Sequence, residues 1–196
     1  MPLRRAWQEG WWAGAQAVPS PHHGPRPAGE GVTLALLHSI SLPPGHYRGD
    51  AVRSLFMGRL DCEAHAAFAT LRGLKVSAHF FVRRSGRTLQ FVSCERRAWH
   101  AGVSRWRGRE NCNDWSIGIE LEGLEGDHFE AVQYAQLARL LRALARRYPL
   151  TEAVGHEHVA PGRKADPGDG FDWRALQRRL QHSGLHLPTA CGAALR

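Results

Sequence analysis

No stretch of about eighteen uninterrupted apolar residues occurs in the chain, so a membrane-spanning helix is not expected. Arg4 and Arg5 stand near the start, but glycines and Gln16 interrupt the adjoining segment before an apolar run of export-signal length can form. Cysteine is sparse. Cys62, Cys94, Cys112 and Cys191 lie far apart with no C-x-x-C pair, which suits neither a zinc ribbon nor a dense disulfide framework and fits a reducing cytoplasm. Concentrated basic runs are missing too. The 26 Lys+Arg outnumber the 18 Asp+Glu, for a net charge of +8, which favours an anionic partner. The cations are scattered as pairs such as Arg83-Arg84 and Arg146-Arg147, without interleaved aromatics, so nucleic-acid binding is not expected. No internal repeat is apparent.

What is present is ordinary globular composition, 43% hydrophobic and 22% charged over 196 residues, enough for one sizeable core. The expectation is a single domain over 1–196, acting as a monomer. Its core spans about 30–181, with an irregular Trp-, Gly- and Pro-rich arm over 1–29, in which His22 and His23 are solvated, and a loose tail over 182–196.

The patterning predicts a mixed α/β chain. Val32 to Leu37 is a short continuous apolar run, read as a central strand buried on both faces that ends at His38. Asp50 to Leu71 carries helical stretches broken near Leu60 to Cys62. Val76–Val82 and Thr88–Val92 flank Arg83–Arg87 as a hairpin with the turn at Ser85-Gly86. Ser116–Gly123 alternates, with Ile117, Ile119 and Leu121 on one side and Gly118, Glu120 and Glu122 on the other. Gly118 opens room beside Glu120 for a ligand or another backbone, and Glu122 reads as a solvated carboxylate. Apolar residues recur at helical spacing from Phe129 to Tyr148, where Pro149 stops the helix, and a second helix begins after Phe171-Asp172-Trp173 and runs through Leu176 to about Leu180.

The chemistry concentrates in Gly155–Gly168, where His156, His158, Arg163, Lys164 and Asp166 crowd a path set by Pro161-Gly162 and Pro167-Gly168. Three zinc-ligand types stand out: His38 at its strand end, His156, and Asp166 ten residues on. Three protein ligands leave a fourth tetrahedral position for water or substrate, the pattern of a catalytic zinc ion. Hydrolysis of an amide or ester then needs a carboxylate to accept the proton of the attacking water and a cation for the oxyanion, and Glu120 and Lys164 are the available choices. Each has a bland alternative: His38 as a strand cap, Glu120 as an outward carboxylate.

These residues sit in motifs that resemble the cytoplasmic anhydromuramyl-L-alanine amidases, peptidoglycan-recognition-protein-like members of the second N-acetylmuramoyl-L-alanine amidase family. The match covers most of the chain: Gln8–Trp11 and Val18–His22, His38 with Ile40–Gly45, Val76–His79, Arg97–Ser104, Asn113-Asp114 with Ser116–Gly123, Gly155-His156 with Ala160-Pro161 and Arg163–Gly168, and Phe171–Trp173. The resemblance implies a central mixed sheet flanked by helices and one catalytic zinc ion held by His38, His156 and Asp166. It makes Glu120 the proton acceptor and Lys164 the transition-state stabiliser. The implied substrate is a small anhydro-muramyl peptide from recycled cell wall, cleaved between the lactyl group of the sugar and L-alanine. Substrate contacts fall to Ser39, Lys75, Trp99 and Arg163. Two of these depart from the family pattern, Ser39 replacing an asparagine and Lys75 an arginine, which exchanges reach and bidentate geometry for a smaller hydroxyl and a point charge. Trp99 either stacks on substrate or anchors its loop. His79 and His100 match positions near the site without being needed as ligands, and His158 is incidental. The alternatives are an endolysin-like amidase acting on intact peptidoglycan and a non-catalytic muropeptide-binding module; the module reading loses weight because all five chemical residues are kept.

Overall fold

The computed structural model describes residues 6–188. Its centre is a six-stranded mixed sheet built from β1 (Gln16–Ala17), β2 (Leu34–Ile40), β3 (Phe80–Val82), β4 (Thr88–Gln90), β5 (Ser116–Glu122) and β6 (Glu152–Gly155), in the order β6-β2-β5-β3-β4-β1. β6, β2, β5 and β3 run parallel to their neighbours, and β3 and β4 form the expected hairpin. At its turn Arg83 N–H donates to Arg87 O over 2.9 Å, and Gly86 has φ +81°, a left-handed conformation open to glycine at no steric cost. Helices flank this sheet, as expected for the mixed α/β class: α1 (Ala51–Phe56), α2 (Ala131–Arg147), the single turn α3 (His156–Val159) and α4 (Trp173–Arg179).

The alternating side chains of the parallel strands sort the core into two faces. Ala35, Leu37, Phe80, Val82, Ile117, Ile119 and Leu121 meet the apolar stripe of α2, where Leu137, Leu140, Leu141 and Leu144 are fully buried. Burying each such leucine contributes about 1.5–3 kcal/mol. The α2 boundaries follow from local chemistry. Glu130 and Gln133 form a capping box at its start, and Tyr148 adopts extended φ −123°, ψ 155°, the region a residue before proline prefers. α4 is capped by Asp172, whose carboxylate accepts from Ala175 N–H over 2.9 Å.

Four expectations change in three dimensions. β2 continues beyond Leu37 to Ile40, so His38 lies inside the strand rather than at its end. The arm is partly regular: Trp7–Gln8 pairs with Trp11–Trp12, and β1 adds to the sheet edge. Half-buried Arg26 ties the arm down by donating to the carbonyls of Cys94, Asn113, Asp114 and Ser116, answering four acceptors with one fork. The expected loose tail docks as far as it is described. His186 pairs with the strand at Thr151 and Ala153, while Leu185 and Leu187 pack on the core; residues 189–196, with Cys191, lie outside the described residues.

The fourth change concerns Glu122, read from alternation as solvated and in fact 3% exposed. Its two oxygens accept from the backbone N–H groups of Arg48 (2.8 Å) and Arg84 (2.9 Å), so the carboxylate closes two loops that have no strand partner there. Both faces of β5 are covered, and alternation alone does not reveal the second cover. Glu122→Ala leaves two part-buried backbone donors without their acceptor and is expected to lower stability by about 1–3 kcal/mol. Urea unfolding checks this through a lower midpoint at unchanged m-value; an unchanged midpoint would contradict it. Among the described residues, no helix is long and apolar enough to cross a membrane.

Candidate active site and metal centre

Three adjacent parallel strands bring the chemical residues to one edge. β5 and β2 are in register with Glu120 opposite His38, so both side chains leave the sheet on the same face, away from α2. β6 lies on the other side of β2 and ends at Gly155, so His156, the first residue of α3, emerges beside His38. The site therefore lies at the carboxyl ends of neighbouring parallel strands, where open α/β sheets present ligands. Asp166 arrives from the loop after α3, anchored where Glu157 N–H donates to Asp166 O over 3.0 Å.

Three atoms converge. His38 Nδ1 is 3.0 Å from His156 Nδ1 and 2.9 Å from Asp166 Oδ2, and His156 Nδ1 is 3.1 Å from the same oxygen. All three residues are buried. His156 Nε2 faces Ala101 O at 2.9 Å; a carbonyl only accepts, so this nitrogen carries a proton and Nδ1 is the ring atom turned inward. Two imidazole nitrogens and a carboxylate oxygen are zinc ligand types, and bonds of about 2.0–2.2 Å in tetrahedral geometry put ligand atoms about 3.3 Å apart. The observed triangle needs only a slight expansion, so these residues fit a metal ion.

The electrostatics agree with that use. Burial pushes the His38 imidazole down to about 4, leaving it neutral near pH 7. Asp166 would be raised by its burial, but contact with the His156 and His38 imidazoles, wherever a proton or a bound cation lies between them and the carboxylate, holds it well below the usual carboxylate range. Glu120 goes the other way. Burial, with the Asp166 carboxylate nearby, lifts it well above the ordinary glutamate value, and the positive charge of Lys164 opposes the rise. Glu120 Oε2 is buried without a hydrogen-bond partner, an acceptor unanswered by the protein on the face that carries His38.

Similarity to known proteins runs the length of this architecture. The N-acetylmuramoyl-L-alanine amidase family matches residues 32–169, which include all five of these positions.

The chain belongs to the N-acetylmuramoyl-L-alanine amidase family. It is an amidase, a hydrolase of the amide bond. Over 168 residues it is 50% identical to the 1,6-anhydro-N-acetylmuramyl-L-alanine amidase AmpD of Escherichia coli K12, covering 85% of this chain and 92% of that one. It is also 50% identical over 182 residues to the AmpD of Citrobacter freundii, covering 90% and 97%. A crystal structure of a selenomethionine AmpD derivative superposes with a TM-score of 0.85 at 48% identity, over 88% of this chain and 97% of that one.

The remaining sequence-derived positions of this amidase are spread around the centre. Lys164 is exposed on the loop after α3, at the rim of an open groove of about 960 Å³ that it lines with Glu157, His158, Phe171 and Trp173. Trp99 is half-buried and stacks on His22, with ring centroids 6.1 Å apart and planes 14° from parallel. His22 is thus not the solvated residue expected from its Pro-flanked setting: its Nδ1 meets Val76 O at 3.1 Å, and His23 is half-buried in a strand pairing with Ala98. Lys75 is exposed beside a shallow pocket of about 200 Å³ that includes His22, Leu55 and Leu71. Ser39 comes directly after His38 in the strand, and alternation turns it toward the opposite face. Arg163 donates through Nη2 to Ala101 O (2.8 Å) and Val103 O (2.5 Å), clasping the loop that carries His100.

His100 is the residue whose part in the site the sequence understated. Its ring fills the room beside Gly118 that was read as space for a ligand or backbone, since a Cβ on Gly118 would lie 2.4 Å from the ring. The available signal was Gly118 itself, a glycine on the Glu120 face of a buried strand.

Proposed function

We propose that this amidase is zinc-dependent and hydrolyses the amide between the lactyl group of 1,6-anhydro-N-acetylmuramic acid and L-alanine in recycled cell-wall muropeptides. The carrying observation is the convergence of His38 Nδ1, His156 Nδ1 and Asp166 Oδ2 within 3.1 Å of one another, beside the unpartnered carboxylate of Glu120. The substrate follows from the activity for which the AmpD relatives are named. His38, His156 and Asp166 hold the ion. When bound there, zinc polarises a carbonyl and lowers the pKa of a water from about 15.7 to about 7.

The protein's own residues carry the proton and the charge. Glu120, deprotonated, takes the proton of the attacking water and returns it to the alanine nitrogen as the C–N bond breaks, leaving a lactyl carboxylate and a free amine. Its burial and raised pKa make it basic enough for the first transfer and acidic enough for the second. Lys164 places positive charge against the oxyanion and keeps Glu120 from being raised further. Lys75, Trp99 and Arg163 are the proposed substrate contacts, with Arg163 acting through its hold on the loop at Ala101 as well, whereas Ser39, turned to the other face of β2, is not one of them. A cytoplasmic setting accords with Cys62, Cys94 and Cys112 being free thiols.

Mass spectrometry of products from anhydro-muramyl peptide, ordinary muramyl peptide and intact peptidoglycan, with and without chelator, tests this reading. The expected result is cleavage at the lactyl–alanine bond, fastest on the anhydro substrate and lost with chelator. Cleavage insensitive to chelator would overturn the metal, and a preference for intact peptidoglycan would overturn the substrate.

A further inference from the structure

We propose that His100 is a positioning residue that, with Ser116, holds His38 in the tautomer whose Nδ1 lone pair turns toward His156 and Asp166. This role rests on His38, His156 and Asp166 being the metal ligands, and it concerns the groups that prepare them.

The proton positions are fixed from the Cys112 end of the chain, against the Asp166 carboxylate at the other end, which also only accepts and competes for a proton on His38 Nδ1. Cys112 O only accepts, and Ser116 Oγ lies 2.5 Å from it, so the single hydroxyl proton of Ser116 is committed there. Ser116 Oγ is then an acceptor toward His100 Nε2 at 3.3 Å, and that nitrogen is the N–H. In the neutral ring, His100 Nδ1 is left as a lone pair. It lies 3.0 Å from His38 Nε2, which therefore donates to it. His38 in turn keeps its lone pair on Nδ1, the atom 2.9 Å from Asp166 Oδ2 and 3.0 Å from His156 Nδ1. Three groups in series, the Cys112 carbonyl, Ser116 and His100, thus select one of two nitrogens on the first imidazole ligand, the service outer-shell partners commonly give.

The surrounding backbone keeps this chain in place. Asn113 Oδ1 accepts from His100 N–H (3.0 Å) and Ala101 N–H (2.8 Å), pinning both residues. Gly118 lets the His100 ring lie against β5, because any Cβ there would overlap it. Ala101 O accepts from His156 Nε2–H over 2.9 Å. Two consecutive residues therefore orient both imidazole ligands, His100 through its ring and Ala101 through its carbonyl.

The test separates this role from space filling. His100→Leu removes the acceptor, whereas His100→Asn puts Oδ1 near where Nδ1 stood. With zinc affinity read by chelator competition, His100→Leu is expected to weaken binding about 10–100-fold, the usual cost of an outer-shell loss, while His100→Asn stays within about threefold of the parent. In parallel, ¹⁵N NMR of the imidazoles in the metal-free parent should find His38 protonated on Nε2, and both tautomers in His100→Leu. Equal affinity in parent and His100→Leu, equal weakening by Leu and Asn, or His38 protonated on Nδ1 in the parent would each overturn the proposal. Should His100→Leu not fold, the parent's tautomer spectrum decides by itself. A parent that binds no zinc yet carries the Nε2–H tautomer would sink the metal-site reading and leave the tautomer assignment standing.

Discussion

Glu120→Gln is expected to cut turnover by about 10²–10⁴-fold while leaving the metal bound, the range by which a positioned general base accelerates proton transfer. Glutamine keeps the shape and removes the only buried carboxylate of β5 that faces His38 with an oxygen left unpartnered. It is not among the three converging ligand atoms, so zinc content of the purified variant should equal that of the parent. Steady-state rates beside metal analysis check both halves. A variant with near-parental rate would remove Glu120 from the mechanism, and one that loses its metal would recast it as part of the metal site. The pH profile adds a sign. A base works when deprotonated, and burial raises Glu120, so activity is present above its pKa and falls as pH drops through a value higher than that of an ordinary glutamate. Lys164 opposes the rise, so Lys164→Ala should lower the rate at unchanged metal content and move this acid limb to higher pH.

Asp166→Ala should abolish activity through the other route, by loss of the ion. The carboxylate supplies the only anionic atom of the three that converge, 2.9 and 3.1 Å from the two imidazole nitrogens. Removing a direct ligand is expected to cost more than the roughly 10–100-fold typical of an outer-shell partner. The consequence appears in stability as well as rate. Zinc at a hundred times its Kd stabilises a one-site protein by about 2.7 kcal/mol, because it binds the folded state alone. The parent should therefore melt higher with zinc than with chelator, and Asp166→Ala should melt at one temperature in both. A zinc-dependent shift in the variant equal to the parent's would show that Asp166 is not a ligand.

Much of the architecture was legible because periodicity reports burial. The α2 stripe, the β3–β4 turn and the alternation of β5 all follow from local rules, and the β5 pattern sets Glu120 and Ile119 on opposite sides without reference to any partner. Local rules failed where a second layer covers a surface. Glu122 obeys the same alternation as Glu120, yet it is a buried acceptor for two backbone donors from loops far away in sequence. His22 looked solvated in its Pro-flanked setting, yet Trp99 stacks on it. The tail after His182 has little patterning, and its docking depends on backbone hydrogen bonds to Thr151 and Ala153 that any residue type can make.

The sequence by itself determined the donor types: two histidines and an aspartate able to hold an ion, a glutamate on an alternating strand, and a lysine two residues before the aspartate. That is chemical identity, which a side chain carries wherever it stands. Only the tertiary structure decided that these groups meet, because the register of β5 on β2 sets Glu120 beside His38, and the position of β6 brings His156 across 118 residues of chain to 3.0 Å from it. It also decided which nitrogen of each imidazole faces inward. Proton placement depends on what the far side of the ring touches, here His100 and the Ala101 carbonyl, and those neighbours are contributed by a loop whose distance in space the sequence does not encode locally.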